Sequence, residues 1–173
     1  MEQFIRTELL LGEENIEKLL TKHVLIFGVG GVGSFVCEAL VRTGIKNFTI
    51  VDGDTVDISN LNRQLIATNK TIGKYKVDVM KERILDINKD ASITTIKEFL
   101  LPSSLDNNLF KSCDYIVDCI DTIATKLAII EKSKGTSLRE EDKKFITDFY
   151  KFSFVAIVRS EEHTSELQSR PHI

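Results

Sequence analysis

The stretch HVLIFGVGGVGSF at residues 23–35 decides the fold of this chain. A short apolar run leads into glycines spaced as G-x-G-x-x-G, at Gly28, Gly30 and Gly33, and a helical pattern of apolar residues follows. The first turn of a helix has free N–H groups that bind phosphate, and glycine lets the backbone approach the phosphate closely. The stretch therefore predicts a strand, a phosphate-binding turn and a helix that together hold a nucleotide.

Strand and helix patterns alternate along the first 134 residues of the chain. Strands are predicted at 24–27, 47–51, 92–99 and 115–120, and helices at 13–21, 34–42, 74–88, 105–110 and 123–132. This alternation is typical of an α/β fold with a Rossmann-like, doubly wound and mostly parallel sheet. Residues 55–71 follow neither pattern, and a connection of that length usually carries function.

The composition is that of one soluble globular domain. Of the 173 residues, 42% are hydrophobic, and the net charge of −3 gives no overall positive field that would attract nucleic acid. No apolar run approaches the ~18 residues of a membrane span, and the N-terminus lacks the pattern of a signal peptide. Cys37, Cys113 and Cys119 form no CxxC pair, so we expect buried, inert thiols, no zinc site and a cytoplasmic location.

Charged and polar residues after the glycines indicate which nucleotide is bound. Asp52 follows the second strand, where a carboxylate holds the ribose hydroxyls of either NAD or ATP. Asn60, Arg63 and Lys76 favour ATP, because attack at its α-phosphate needs cations that neutralise charge on the transferred and leaving phosphates. Asp121 comes at the end of the fourth strand, where it is placed to ligate Mg²⁺.

Four separated segments occur in a fixed order: GVGGVGS from residue 28, VDGDTVDISNLNRQ from residue 51, GKYKV from residue 73 and VDCIDT from residue 117. Together they resemble the ubiquitin-activating-enzyme-like adenylyltransferase superfamily, which includes the ThiF enzymes. The longer segments FIRTELLLG, GVGSFVCEALVRTG, GKYKVDVMKERILDIN and VDCIDTIATKLAIIEK are similar to one branch of it, the tRNA threonylcarbamoyladenosine dehydratases. The resemblance runs from about Phe4 to Lys132.

The resemblance implies an enzyme that uses ATP to adenylate the threonylcarbamoyl group of a modified adenosine in tRNA, which then cyclises with net loss of water. The implied cofactors are ATP and Mg²⁺, and the implied state is a homodimer in which Arg6 reaches the partner's ATP. Arg63, Lys76, Asp121 and Arg6 are the implied catalytic residues, with Asp121 on the metal. The implied ATP-binding residues are Gly28, Gly30, Gly31, Gly33, Asp52, Asp54, Ser59, Asn60, Arg63, Gln64, Lys76 and Asp121.

Three other functions stay open on the sequence. Some relatives in the superfamily adenylate the C-terminus of a small sulfur-carrier protein, but they usually carry paired CxxC zinc ligands that this sequence lacks. An NAD-dependent oxidoreductase would leave Arg63 and Lys76 without a role. A non-catalytic nucleotide-binding fragment would bind ATP and release no pyrophosphate.

The resemblance also divides the chain. Residues 1–134 are expected to form the ATP-binding adenylyltransferase domain. Residues 135–158 depart from the family pattern and are interpreted either as a further strand near 152–158 or as out-of-frame sequence. The final stretch RSEEHTSELQSRPHI at 159–173 resembles a translated sequencing-library adapter. We therefore expect a non-native tail and a fold truncated at its C-terminal side.

Overall fold

A sheet lies at the centre of the computed structural model, which describes residues 2–135, 140–141, 144 and 156–159. Its strands are β1 His23–Phe27, β2 Asn47–Val51, β3 Ser92–Ile96, β4 Tyr115–Asp118 and β5 Ala156–Arg159. They lie in the order β3-β2-β1-β4-β5, with β5 antiparallel to β4 and the other neighbouring pairs parallel. The predicted α/β fold with a mostly parallel sheet is confirmed.

Helices connect and cover the strands. They are α1 Ile5–Leu11, α2 Glu13–Thr21, α3 Gly33–Thr43, α4 Lys76–Ile87, α5 Asn107–Lys111 and α6 Ile123–Lys134, with short 3₁₀ turns at Glu2–Phe4 and Ile58–Asn60. The sequence prediction omits α1, because its leucines follow one another without a polar face. The end of α3 is as predicted: Gly44 follows it with a φ of 121°, a conformation that favours glycine.

Both faces of the sheet are buried. Along β1, Val24 and Ile26 join one apolar core with residues of α3 and α4, whereas Leu25 and Phe27 join a second core with residues of α5 and α6. Successive side chains of a strand point to opposite faces of the sheet. An uninterrupted apolar run is therefore what a strand covered on both faces requires, and this is the pattern that the sequence has in β1.

Two strands end earlier than the sequence predicts. β3 ends at Ile96, which pairs with Val51, and β4 ends at Asp118, which pairs with Phe27. Each strand ends where its neighbour turns away: β1 enters the glycine turn after Phe27, and β2 leaves the sheet after Val51. The residues that follow β3 and β4 therefore form loops along one edge of the sheet.

Helix α6 ends at Lys134, and the division of the chain at residues 134 and 158 stays a prediction. Of the predicted 135–158 segment and 159–173 tail, the structure describes Gly135, residues 140–141 and 144, and the strand β5, and the rest lies outside the described residues. None of the helices in the described ranges has the length and the apolar character that crossing a bilayer requires.

Candidate active site

A cleft of about 780 Å³ opens at the carboxyl ends of β1, β2 and β4. Ligands of open parallel sheets bind at this edge, and the volume is typical of small-molecule sites. The structure brings most of the predicted site residues to its walls, namely Gly28, Gly30, Gly31, Asp52, Asp54, Asn60, Arg63, Gln64, Lys76 and Asp121. Gly33, Ser59 and Arg6 do not line the cleft: Gly33 is buried beneath the turn, and the other two are exposed.

The glycine turn is packed backbone against backbone. Gly28 has a φ of +89°, and a Cβ on it would lie 2.9 Å from the Cys119 carbonyl oxygen. A Cβ on Gly33 would lie 1.9 Å from the Gly28 carbonyl oxygen, so only hydrogen fits there. Gly30 has open space by comparison, since the nearest atom to a Cβ would be 3.9 Å away. Gly28 and Gly33 therefore shape the turn, whereas Gly30 leaves room for a ligand to approach the backbone.

Asp52 joins the glycine turn to the segment after β2. Its Oδ2 accepts a hydrogen bond from the Val29 N–H at 2.7 Å, and its Oδ1 accepts one from the Asp54 N–H at 2.8 Å. An ionised carboxylate can accept about four hydrogen bonds. Asp52 therefore fixes the local backbone and keeps acceptor capacity for the hydroxyls of a bound ligand.

A capping box orders the loop that follows β2. Asp57 Oδ1 accepts from the Ser59 N–H at 2.8 Å, and Asn60 Oδ1 accepts from the Asp57 N–H at 3.0 Å. Hydrogen bonding to Ser59 lowers the pKa of Asp57. Arg63 Nη1 donates to the Ser59 carbonyl oxygen at 2.9 Å, which orients the guanidinium group. The SNLNRQ segment is thus a compact turn that delivers Asn60 and Arg63 to the cleft wall.

Lys76 is the first residue of α4, and its ammonium group is held at the cleft by Asp54. The Nζ atom lies 2.7 Å from Asp54 Oδ2, with the Lys76 side chain 7% exposed and that of Asp54 52% exposed. A backbone hydrogen bond of 3.0 Å from Lys76 N–H to the Asp54 carbonyl oxygen joins the same residues. Because an ammonium group has three donors, Lys76 can bind an anion and keep or exchange its carboxylate partner.

Gln64 has a buried oxygen that points to a missing contact. Among the described residues, its Oε1 is the one buried side-chain nitrogen or oxygen without a hydrogen-bond partner. The side chain lines the cleft beside Gly30, whose Cβ would be 3.9 Å from Gln64 Nε2. Buried polar atoms in proteins nearly always have a partner. The residue lines the cleft, while its unpaired oxygen lies inside the wall without accessible surface.

A buried ion pair that the sequence analysis missed lies beneath the loop after β4. Asp118 is 0% exposed and Lys126 is 2% exposed, and Nζ of Lys126 lies 3.0 Å from Asp118 Oδ2. The other oxygen of Asp118 accepts from the Ile120 N–H at 3.0 Å. Burial raises the pKa of Asp118, while the Ile120 N–H and Lys126 act in the opposite direction.

The same loop brings Cys119 and Asp121 to the cleft. Cys37 and Cys113 are buried as expected, but Cys119 is partly exposed because it lies at the cleft wall. Burial, together with the nearby Asp118 charge, raises the pKa of Cys119 to about 12. Its thiol is therefore protonated at neutral pH, which agrees with the prediction of an inert cysteine.

Asp121 is an exposed carboxylate in the wall of the cleft that the glycine turn also lines. In the part of the chain that the structure describes, no group of three or more His, Cys, Asp or Glu side chains is placed to hold a metal ion. Mg²⁺ in nucleotide sites is usually bound through one or two carboxylates together with phosphate oxygens of the substrate. One carboxylate beside a phosphate-binding turn fits that kind of site.

An apolar wall of the cleft was also missed. Phe99, Leu100 and Leu101 follow β3 and line the cleft, with Phe99 70% exposed. A Cβ on Gly53 would lie 2.7 Å from the Phe99 backbone nitrogen, so the two backbones are in close contact. An exposed aromatic ring at a cleft wall is suited to pack on a planar ligand group. The FLL run at 99–101 is the sequence signal that could have indicated this wall.

Comparisons with known proteins find relatives over most of the chain. A family model described as the ThiF family matches residues 4–139. The tRNA threonylcarbamoyladenosine dehydratase of Bacillus subtilis (strain 168) is 42% identical over 132 residues, which cover 76% of this chain and 52% of the relative. The chain thus spans about half the length of the curated relatives it matches.

Solved structures with the same fold hold adenine nucleotides. The crystal structure of E. coli tRNA N6-threonylcarbamoyladenosine dehydratase in complex with ATP has a TM-score of 0.72 and 34% identity, covering 79% of this chain and 57% of that one. The complex of the same E. coli protein with AMP has a TM-score of 0.73 and 34% identity, covering 79% of this chain and 56% of that one.

Proposed function

The chain belongs to the ThiF family, and from this membership we propose that it carries the ATP-binding part of an enzyme that adenylates a carboxylate on tRNA. The proposed substrate is threonylcarbamoyladenosine, because relatives named as dehydratases of that nucleoside are 36–42% identical to this chain. One observation carries the proposal: segments far apart in sequence bring the glycine turn, Asp52, Arg63 and Lys76 to one cleft.

ATP fits the donors and acceptors of the cleft. The N–H groups of the glycine turn and the N-terminus of α3 suit phosphate oxygens. Asp52 has acceptor capacity for ribose hydroxyls beyond its hydrogen bonds to the Val29 and Asp54 N–H groups. The ATP complex of the E. coli relative favours ATP over the NAD alternative that the sequence left open.

The proposed chemistry has two steps. A carboxylate oxygen of the threonyl group attacks the α-phosphorus of ATP, the bond to the pyrophosphate oxygen breaks, and an acyl-adenylate forms. The carbamoyl group then attacks the activated carbonyl carbon: a ring bond forms, the bond to the AMP oxygen breaks, and the carbamoyl group releases one proton, so the nucleoside has lost the elements of water. Arg63 and Lys76 would stabilise charge on the phosphates. Mg²⁺ bound by Asp121 and the phosphates would neutralise further negative charge.

A homodimer is the proposed state, in which Arg6 of each copy would reach the cleft of the other copy. Arg6 is exposed on α1 and does not line the cleft of its own chain. The same helix exposes four large apolar side chains, Ile5 at 57%, Leu9 at 82%, Leu10 at 85% and Leu11 at 45%. Exposed apolar side chains gathered on one short helix favour a protein partner. The cytoplasm is the proposed location, since the substrate is a tRNA.

The proposal is tested by ATP–pyrophosphate exchange with two tRNA preparations, one carrying threonylcarbamoyladenosine and one lacking that modification. We expect exchange and AMP formation with the modified tRNA and no stimulation by the unmodified tRNA. Equal exchange with both would refute the substrate assignment. Exchange that depends instead on a small carrier protein with a free C-terminus would assign the chain to the sulfur-carrier branch.

A second candidate function, which the sequence also leaves open, is binding of ATP without catalysis. The chain covers 52% of the Bacillus subtilis relative, so residues that complete the reaction in that protein can lie beyond the matched part. This candidate predicts that titration calorimetry detects ATP binding, while neither tRNA preparation leads to pyrophosphate release.

A further inference from the structure

We propose that Asp118 is a positioning residue that holds the loop after β4, so that Asp121 is presented to the nucleotide cleft, and that Lys126 allows the Asp118 charge to be buried. This inference rests on the proposed function, because it concerns the same cleft. It assigns a role to two buried charged residues that do not line the cleft.

The carboxylate of Asp118 ties three elements together. The residue ends β4, its Oδ1 accepts from the Ile120 N–H in the loop at 3.0 Å, and its Oδ2 accepts from Lys126 Nζ on α6 at 3.0 Å. The loop between β4 and α6 spans residues 119–122. Asp118 therefore connects the strand before the loop, the loop itself and the helix after it.

The hydrogen bond to Ile120 lies where the loop leaves the sheet. The preceding residue, Cys119, is held by a 2.8 Å hydrogen bond from its N–H to the Phe27 carbonyl oxygen. The Cys119 carbonyl oxygen also packs against Gly28, where a Cβ would approach it to 2.9 Å. The hydrogen bond from Ile120 to Asp118 fixes the next residue of the loop, and Asp121 follows Ile120 directly. A shift of Ile120 would therefore move Asp121 relative to the glycine turn.

A contribution to stability does not explain why the Asp118–Lys126 pair is buried. Removing two charges from water is costly, and replacing a buried ion pair by well-packed apolar residues is often neutral or stabilising. The Asp118–Lys126 pair is almost completely buried, so it carries the full cost of desolvation. The Asp118 carboxylate also accepts a hydrogen bond from the Ile120 N–H in the adjacent loop. Apolar residues at these positions could not accept it.

Two matched double variants separate positioning from charge. Asp118→Asn/Lys126→Met and Asp118→Leu/Lys126→Met both remove both charges and have side chains of similar size. They differ in that the asparagine variant keeps a side-chain oxygen for the Ile120 N–H, whereas the leucine variant has none. We expect both to melt cooperatively, and we expect amide hydrogen exchange at Ile120 to be slow in the asparagine variant and fast in the leucine variant. If the leucine variant does not melt cooperatively, Asp118→Ala/Lys126→Met replaces it with the same expectation.

The functional readout is ATP affinity, measured by titration calorimetry in the presence of Mg²⁺. We expect the asparagine variant to bind ATP nearly as wild type does, and the leucine variant to bind about 10- to 100-fold more weakly, because a charged contact of Asp121 in the nucleotide site is lost. Adenosine, which has no phosphates, should bind both variants equally. In an Asp121→Asn background the difference between the two double variants should disappear, because Asp118 acts through Asp121.

The outcomes distinguish this inference from the proposed function. If wild type binds ATP and the two double variants bind it equally, the positioning role is wrong. If the difference persists in the Asp121→Asn background, Asp118 does not act through Asp121 and the inference is also wrong. A wild-type chain that binds no ATP would overturn the proposed function together with the inference.

Discussion

The ammonium nitrogen of Lys76 lies 2.7 Å from a carboxylate oxygen of Asp54, and the two side chains differ sharply in exposure. The lysine is buried, whereas more than half of the aspartate side chain is accessible to solvent. A buried ammonium group needs a partner, and an exposed carboxylate can leave it at little cost. Asp54 thus holds the Lys76 ammonium group at the cleft wall, where a phosphate group can replace Asp54 as its partner.

Replacing Lys76 by Met should weaken ATP binding by about 10- to 100-fold, because a charged hydrogen bond to phosphate is lost. AMP binding should fall less, since AMP lacks the β- and γ-phosphates. The fold should tolerate the change, because Met has a similar length and Asp54 remains solvated. Lys74→Met is the matched control. The Lys74 Nζ atom lies 3.8 Å from Glu82 Oε2, and the residue does not line the cleft. Titration calorimetry that finds equal losses for ATP and AMP would contradict this role.

Replacing Arg63 by Ala should slow catalysis more than it weakens binding. If the guanidinium group stabilises charge that develops during adenylation, the rate of ATP–pyrophosphate exchange should fall about 100-fold. The affinity for ATP should fall less than about tenfold. Arg42→Ala serves as the control, because Arg42 pairs with Glu38 on α3 and does not line the cleft. Unchanged exchange in the Arg63 variant would remove Arg63 from the catalytic set.

Gly33→Ala should lower the stability of the fold, whereas Gly30→Ala should lower ATP affinity and leave stability unchanged. A methyl group at Gly33 would lie 1.9 Å from the Gly28 carbonyl oxygen, so we expect a loss of about 2 kcal/mol or more in the free energy of unfolding. A methyl group at Gly30 has room in the folded chain, so stability should be retained while ATP affinity falls. Thermal melting and calorimetry on both variants check the pair, and a stable Gly33→Ala variant would show that the turn can rearrange.

The contact between Glu38 on α3 and Arg83 on α4 should make the free energy of unfolding depend on pH. Arg83 and Arg42 donate to Glu38, and the hydrogen bond from Arg83 is the largest cause that lowers the pKa of Glu38 below its ordinary value of 4.5. A lowered pKa gives stability that is present above pH 4.5 and is lost as pH falls through the folded value. At neutral pH, Glu38→Gln should therefore be less stable than wild type by about 1 kcal/mol, and this gap should shrink in acid.

Glu14→Gln is the matched control for that experiment. Glu14 pairs with Lys18 at 2.7 Å, and its side chain is 83% exposed. An exposed pair on one helix contributes little, so we expect its urea-unfolding curves to follow those of wild type at each pH. If the difference in free energy of unfolding between wild type and Glu38→Gln grows in acid, the contact between α3 and α4 does not depend on the ionised Glu38 carboxylate.

At an ATP concentration that saturates wild type but not Lys76→Met, mixing two impaired variants should raise activity if Arg6 acts in the partner's cleft. Arg6→Ala and Lys76→Met homodimers each lack a residue at both sites, whereas a mixed dimer has one complete site. Random mixing should therefore recover roughly a quarter of the wild-type exchange activity, because half of the dimers are mixed and one site in each is complete. No recovery, with mixed dimers verified by two affinity tags, would place Arg6 outside the partner's site.

Much of the fold could be predicted because local and global signals agree in this chain. The apolar run of β1, the glycines after it and the helix that begins at Gly33 are adjacent in sequence, so their spacing alone predicts the turn. Arg63 and Lys76 lie at the cleft as expected because the capping box and the start of α4 fix their positions locally.

The missed parts depend on contacts between distant segments. Asp118 and Lys126 face each other only because α6 packs back onto β4, and an acidic and a basic residue eight positions apart give no such signal. The apolar wall near Phe99 arises because β3 ends at Ile96, and that end is set by the length of its neighbour β2. Tertiary packing, not propensity, decides both features.

The cysteine at the cleft wall has a consequence for the design of inhibitors. Burial and the nearby Asp118 charge raise the pKa of Cys119, so its thiol is mainly protonated at neutral pH. Acrylamide and chloroacetamide warheads react with the thiolate, so a compound aimed at Cys119 would meet this thiol mainly in its less reactive form. The apolar wall and the phosphate-binding turn of the same cleft offer contacts for reversible recognition instead.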